Sequence, residues 1–233
     1  MHDTAYEIGR TFLEVYWSER FHRILEIGSR NVNGTLRDFC PANADYVGVD
    51  LEPGTNVDIV LQEAGSLPFD DATFDIVLST SCFEHDPMFW VTFASMGRVL
   101  KPGGFIYINT PSNGRYHAYP YDNWRFYPDA GLALEAWAAK QGLGLTLVES
   151  FTARQKRDVW NDFVMVFAKR DGSPSNSATF LADQFADAFN IRRESDATIG
   201  NFSRQPEDRL IRARLEQERD DLRDGRSTFA RSR

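Results

Sequence analysis

Short apolar runs recur along most of the chain, each closed off by Gly, Pro, Asn or Asp. They read RILEIG (23–28), YVGVDL (46–51), DIVLQ (58–62), FDIVLST (74–80), GFIYINT (104–110), LTLVESF (145–151) and DFVMVFAK (162–169). Several are apolar almost throughout, the pattern of strands buried on both faces of a parallel sheet. Helical segments fit between most of them, at roughly 34–40, 87–100 and 128–141. Residues 4–20 place Phe12, Leu13, Val15, Tyr16 and Trp17 among polar positions and read as an amphipathic helix. The alternation predicts an α/β domain over residues 1–170, a doubly wound, seven-stranded, mostly parallel sheet. Only the polar TARQKRDVWN separates the last two runs, so they are expected to pair as an antiparallel hairpin at the sheet edge.

Beyond residue 170 the pattern changes. DGSPSNSAT (171–179) has the composition of a linker. FLADQFADAFN then spaces Leu181, Phe185 and Phe189 four apart, which predicts a helix with one apolar stripe. EDRLIRARLEQERDDLRD follows as a charged helix with Ile211, Leu215 and Leu222 as seam candidates. Residues 171–233 therefore read as a linker and helical extension that makes contacts outside the α/β domain, most simply in a homodimer.

Composition narrows the class. A hydrophobic content of 42% with 26% charged residues is that of a globular domain, and no run approaches the ~20 residues needed to span a bilayer. The polar, mixed-charge start MHDTAYEIGR is unlike a secretory signal, and two cysteines, Cys40 and Cys82, in different predicted units supply neither a disulfide framework nor a CxxC metal site. A cytoplasmic setting is expected. The net charge of −8 disfavours a polyphosphate backbone, so nucleic acid is not the expected partner.

Candidate chemistry gathers at the carboxyl ends of the predicted strands, where ligands bind in open α/β sheets. Gly28 follows the first strand and lets the chain turn tightly beside a ligand. Asp50 ends the second, placed to accept hydrogen bonds from ribose hydroxyls. The residues after Gly28 are Ser29, Arg30, Asn31 and Val32, so the G-x-G-x-x-G dinucleotide fingerprint fails, and no phosphate-binding G-x-x-x-x-G-K-[ST] loop exists.

Four ordered segments, RILEIGSRNVNGT, YVGVD, EAGSLPFDDATFDIVLSTSCFEHDP and RVLKPGGFIYINTPS, resemble the class I S-adenosylmethionine-dependent methyltransferases of the type 11 methyltransferase-domain group, closely over about 24–112 and in layout over about 1–170. The resemblance implies a Rossmann-like fold and S-adenosylmethionine as cofactor. It implies that Glu26, Gly28, Ser29 and Arg30 lie near the amino-acid end of the cofactor. Asp50 would take the ribose with Leu51 beside the adenine, Glu63 and Ala64 would reach the adenine, and Ser79 to Ser81 would line the methionine portion. Arg30 and Val32 depart from the usual E-x-G-x-G-x-G loop, which must take another path, with Asn33-Gly34 supplying its turn.

An alcohol acceptor needs a base to take its proton. His85 stands just past the fourth strand as such a base or a pocket wall; alternatively Glu84-His85-Asp86 only opens the helix that follows. The segment 109–131 crowds Tyr116, His117, Tyr119, Tyr121, Trp124, Phe126 and Tyr127 with Arg115, Asp122 and Arg125. It reads either as an acceptor pocket or as packing above the sheet. His85, His117 and Asp122 are the expected catalytic residues; Tyr116, Tyr121, Trp124 and Arg125 are the expected acceptor contacts. The Y-P-x-D-x-W-R-F pattern is similar to one in methyltransferases of bacterial surface-glycan biosynthesis, which implies O-methylation of a sugar hydroxyl. A small metabolite is the alternative acceptor, and a catalytically silent binding module the alternative role. No N/D-P-P-Y/F motif follows the fourth strand, which weighs against amine methylation of DNA. The spacing of Asp86, His117 and Asp122 gives no signal for a metal, and none is expected.

Overall fold

The computed structural model describes residues 3–157, 159–170, 179–194 and 196–224. All seven apolar runs form strands: β1 (Arg23–Ile27), β2 (Asp45–Asp50), β3 (Ile59–Val60), β4 (Phe74–Thr80), β5 (Leu100–Pro111), β6 (Leu145–Thr152) and β7 (Asp162–Lys169). An eighth, β8 (Phe189–Arg193), joins them, so among the described residues the sheet has eight strands in the order β3-β2-β1-β4-β5-β7-β6-β8. β1 to β5 pair in parallel, whereas β7 runs antiparallel to both β5 and β6, and β8 antiparallel to β6. The predicted hairpin of β6 and β7 is present.

Alternation along each strand sends side chains to two apolar layers. Leu25, Ile27, Val77 and Ile106 face the layer under α2 (Phe89–Val99) and α3 (Ala130–Lys140), with Phe93, Met96, Leu134 and Ala138. Ile24, Ile76, Leu78 and Tyr107 face the other, covered by α1 (Asp3–Tyr16) through Ile8, Phe12, Leu13 and Tyr16. The helix expected near 34–40 is a single 3-10 turn, Leu36–Phe39, with Thr35 accepting from Arg37 N–H at its start.

Two motifs of the sequence turn out to staple the amino-terminal edge of the sheet. Asp75 of the FDIV run accepts from His22 N–H at 2.9 Å and Arg23 N–H at 3.0 Å, and pairs with Lys101 of the KPGG run at 3.0 Å. Gly104 of that run packs against the β4 backbone, where an added Cβ would lie 2.4 Å from the Asp75 carbonyl oxygen.

The region after residue 170 needs correction. The linker expected at 171–179 lies, except for Thr179, outside the described residues. Residues 181–189 do not form the expected helix: Leu181–Gln184 is a 3-10 turn and β8 follows. Leu181, Ala182, Ala188 and Phe189 are buried, the first three packed in the same layer as Val148, Phe151, Val164 and Val166 of the sheet. The buried Glu149 carboxylate on β6 draws the turn in, accepting from Leu181 N–H at 2.7 Å, Ala182 N–H at 2.9 Å and the Tyr16 hydroxyl. Four-residue spacing suggested a helix, but donors offered to Glu149 and the open edge of β6 favour a turn and strand. This stretch therefore packs on its own domain, to which it adds the eighth strand. The chain divides into two compact units, residues 1–202 and 203–233. Within the second, the charged segment forms the expected helix, α4 (Glu207–Arg223), with Leu210, Ile211, Leu215 and Leu222 exposed. Among the described residues no helix is long and apolar enough to cross a membrane.

Candidate active site

The carboxyl ends of β1, β2 and β4 meet at one corner. Gly28 sits at φ +75°, where a Cβ would lie 2.8 Å from Cys82 Cβ, so the turn after β1 and the turn after β4 touch. Gly28 and Ser29 N–H groups donate to the Val49 carbonyl at 3.0 and 3.1 Å. Asp50 holds the loop above them, accepting from Arg30 N–H and Glu52 N–H, each at 3.1 Å. The Arg30 side chain turns outward to pair with Glu52 and pack over Gly54. Asn31 Oδ1 accepts from Gly34 N–H at 2.9 Å, and Gly34 takes φ +112°. The altered loop thus turns on Asn31 and Gly34, with Arg30 serving as a strut to the β2–β3 connection.

Other residues of the corner are placed as follows. Glu26 is buried, and burial raises its carboxyl to about 7, against the Tyr46 hydroxyl and the Arg37 charge. Leu51 is 52% exposed at the rim, and Glu63 and Ala64 lie exposed between β3 and β4. Ser81 stands at φ +50° with its N–H on the Asn109 carbonyl. Among the described residues, the hydroxyls of Ser29, Ser79, Thr80 and Ser81 are shielded from solvent and find no donor or acceptor at good geometry beyond the Ser79 contact with the Cys82 thiol. Unmatched buried hydroxyls are costly, and those of Ser29, Ser79 and Ser81 give this corner a polar floor, whereas Thr80 faces the opposite layer of the sheet.

Beyond this floor, the turn after β4 meets the aromatic segment after β5. Asn123 and Trp124 N–H groups donate to the Glu84 carbonyl at 2.7 and 3.2 Å, and Asn123 Nδ2 donates to the His85 carbonyl at 2.9 Å. Trp124 donates its indole N–H to the Asp86 carbonyl at 2.9 Å and packs against Phe89 and Trp90, while Phe126 is buried beside Phe89. These rings anchor the segment to the start of α2. Asp86 accepts from Met88 N–H at 2.8 Å and the Thr92 hydroxyl at 2.5 Å, which ties down the entry to the helix.

Arg125 and Asp122 form a bidentate pair at 2.6 and 2.9 Å. Asp122 also accepts from His117 N–H at 2.7 Å, and Arg125 from its other face donates to the Arg115 and Trp124 carbonyls. The Arg125 hydrogen bonds outweigh burial and hold the Asp122 carboxyl well below the usual range, so it is a fixed anion rather than a proton acceptor. His117 Nδ1 lies 3.2 Å from Asp122 Oδ2 and 3.4 Å from Arg125, and its ring packs on Trp160 at 4.7 Å and on His85 at 5.0 Å. His85 Nδ1 faces the Tyr121 carbonyl at 2.5 Å and its Nε2 lies 3.7 Å from Glu84 Oε1. Burial lowers the His85 imidazole and raises the Glu84 carboxyl to about 8; Glu84 is 1% exposed at its side chain. Tyr116 and Tyr121, by contrast, stand 77% and 62% exposed beside this group, with Tyr119 also open.

The structure therefore brings His85, His117, Asp122 and Arg125 into one cluster and Glu26, Gly28, Asp50, Ser79 and Ser81 into an adjoining one. Two members were not singled out in the sequence. Glu84 read only as part of a helix opening, and Trp160 lies in a connection that looked merely polar. The space above Gly114 is the tertiary clue to Trp160: a Cβ there would lie 1.9 Å from its ring.

Residues 23–108 match the methyltransferase domain family. Over 130 residues the chain is 32% identical to a fatty-acid O-methyltransferase of Mycolicibacterium smegmatis, covering 47% of this chain and 46% of that protein. Over 101 residues it is 33% identical to a phthiotriol/phenolphthiotriol dimycocerosates methyltransferase of Mycobacterium leprae, covering 36% of each. The matched region thus spans less than half the length of these curated relatives. In fold, the chain is similar to the Burkholderia thailandensis 1,6-didemethyltoxoflavin-N1-methyltransferase bound to S-adenosylhomocysteine, with a TM-score of 0.53 at 19% identity over 72% of this chain and 77% of that one. A putative methyltransferase in complex with the Haloferax volcanii Trm112 activator gives 0.53 at 16% identity, over 73% and 92%.

Proposed function

We propose that this chain, which through residues 23–108 belongs to the class I S-adenosylmethionine-dependent methyltransferases of the type 11 group and takes S-adenosylmethionine as cofactor, methylates a hydroxyl oxygen of a sugar or glycan precursor. The cofactor supplies an electrophilic methyl group. The chain's own residues must bind it, align an acceptor at near-attack distance and exclude competing geometries. In this reading Asp50 accepts the ribose hydroxyls while still holding the Arg30 and Glu52 N–H groups, since a carboxylate has lone pairs for more than two donors. Leu51, Glu63 and Ala64 flank the adenine. Glu26, Gly28, Ser29, Ser79 and Ser81 surround the amino-acid end.

The observation that carries the acceptor assignment is the placement of Glu84, His85 and His117 beside exposed tyrosines. Tyr116, Tyr119 and Tyr121 offer ring faces for sugar C–H surfaces with hydroxyls at their edges, open to a polar acceptor. His85 and His117 are the residues positioned to receive an acceptor proton. Asp122, Arg125 and Trp124 act as positioning residues that hold His117 and the aromatic segment.

The names of the curated relatives favour a second reading, in which the acceptor oxygen belongs to a fatty acid or a hydroxylated lipid. Labelled methyl groups from S-adenosylmethionine, counted into nucleotide sugars, oligosaccharides, fatty acids and hydroxylated lipids, test both. Label in a sugar, with an O-methyl signal by NMR, supports the first; label confined to lipids overturns it. Label in no acceptor while calorimetry shows cofactor binding points to a silent module.

A further inference from the structure

We propose that Glu84, His85 and His117 form a site for one divalent transition-metal ion, of the zinc, cobalt or manganese kind, at the acceptor end of the sheet. One ligand atom from each lies within 4.8 Å of the others, and the measured pair, Glu84 Oε1 and His85 Nε2, is 3.7 Å apart. Two ligands on one ion at bonds of ~2.1 Å sit roughly 3–3.5 Å apart, so small rotamer changes close the group.

The second observation is how the remaining polar atoms are spent. Metal-ligating histidines characteristically donate their other ring N–H to a carbonyl or carboxylate, which fixes the tautomer and turns the free lone pair to the ion. His85 Nδ1 faces the Tyr121 carbonyl, which leaves its Nε2 towards Glu84; His117 Nδ1 lies between Asp122 Oδ2 at 3.2 Å and the Arg125 guanidinium at 3.4 Å, which fix the ring in place. Glu84, whose side chain is almost fully buried, leaves Oε2 without a hydrogen-bond partner among the described residues. A buried carboxyl oxygen with no donor, beside two imidazoles, is a position that a cation can fill. Asp86 and Asp122, the acidic groups that the sequence placed nearby, are instead used up on Met88, Thr92 and Arg125. Two imidazoles and one carboxylate suit borderline transition ions rather than magnesium or calcium, which favour all-oxygen shells. Three protein ligands leave coordination positions open. An ion there would hold an acceptor oxygen and lower its pKa, so that with the ion bound His85 and His117 serve as ligands in place of the proton-accepting role given to them above.

What the ion does rests on the acceptor reading above; whether it binds does not. The test is calorimetric titration of the metal-stripped full chain with cobalt(II) and zinc(II), together with the visible absorption of the cobalt form. One equivalent is expected, with d–d bands that change on adding zinc. His85→Ala, His117→Ala and Glu84→Gln should each weaken binding at least tenfold, with melting temperature and far-ultraviolet circular dichroism confirming that each variant folds. S-adenosylmethionine titration of His117→Ala reads the cofactor corner separately, so failure of that corner is distinguishable from failure of the metal site. Absence of stoichiometric binding, or binding that survives both His85→Ala and His117→Ala, overturns the proposal.

Discussion

Glu149→Ala removes the single group that draws the segment after residue 180 onto the sheet. Its side chain accepts from Leu181 N–H, Ala182 N–H and the Tyr16 hydroxyl, in a position with no solvent exposure. Three buried donors lose their acceptor, at ~1–3 kcal/mol for each one left unsatisfied. Part of that is returned, because a carboxylate no longer has to be held out of water. A net loss of about 2–4 kcal/mol follows, and at ~2–4 °C per kcal/mol for a chain of this size the melting temperature should fall by roughly 5–15 °C. Tyr16→Phe removes one of the three donors and should cost about 1 kcal/mol, less in the Glu149→Ala background than alone. Burial raises the Glu149 carboxyl above its ordinary value of 4.5 despite the Tyr16 hydroxyl and the two backbone donors. Its favourable contribution is thus fully present below pH ~4.5 and declines as pH rises through the raised value, so the advantage of wild type over Glu149→Gln should be larger at pH 5 than at pH 8. Differential scanning fluorimetry gives the stabilities. Hydrogen exchange of residues 181–193 shows where the loss is felt. A Glu149→Ala chain that melts within a degree of wild type, with unchanged exchange in that segment, would refute the reasoning.

Asp50→Ala should weaken S-adenosylmethionine binding by on the order of 1.5–3 kcal/mol per charge-assisted hydrogen bond lost, read by calorimetry, and should loosen the Arg30 loop that the carboxylate also holds. Gly28→Val should abolish cofactor binding and lower stability, since a side chain at φ +75° is strained and its Cβ meets Cys82; equal affinity in the variant would argue against a close approach at this turn. Asp75 carries the opposite pH sign to Glu149. Burial raises it, but the His22 and Arg23 N–H groups and Lys101 together hold it below its ordinary 3.8, so its contribution is present at neutral pH and lost as pH falls below about 4 through the lowered value. Acid unfolding of Asp75→Asn should accordingly show a shallower decline with pH than wild type.

Much of the fold was legible because strand burial and local punctuation write themselves into consecutive residues. All seven apolar runs became strands, and the polar β6–β7 link gave the hairpin. Gly28, Asp50 and the FDIV and KPGG runs could be found for the same reason: each is a local requirement at a strand end. Three features escaped because they depend on partners distant along the chain. The eighth strand exists because β6 has an open edge and Glu149 offers an acceptor, and neither is visible in the spacing of Leu181, Phe185 and Phe189. The FDIV aspartate and KPGG lysine looked like family markers, and only the fold shows them as an ion pair at the amino-terminal edge. Glu84, His85, His117 and Trp160 come from three separate connections, and it is packing across the carboxyl end of the sheet that sets their distances. Sequence determined which residues must lie at that end, because strand direction and alternation are local. Which of them meet was decided by tertiary structure, since side-chain contacts between loops depend on the relative placement of the strands that carry them.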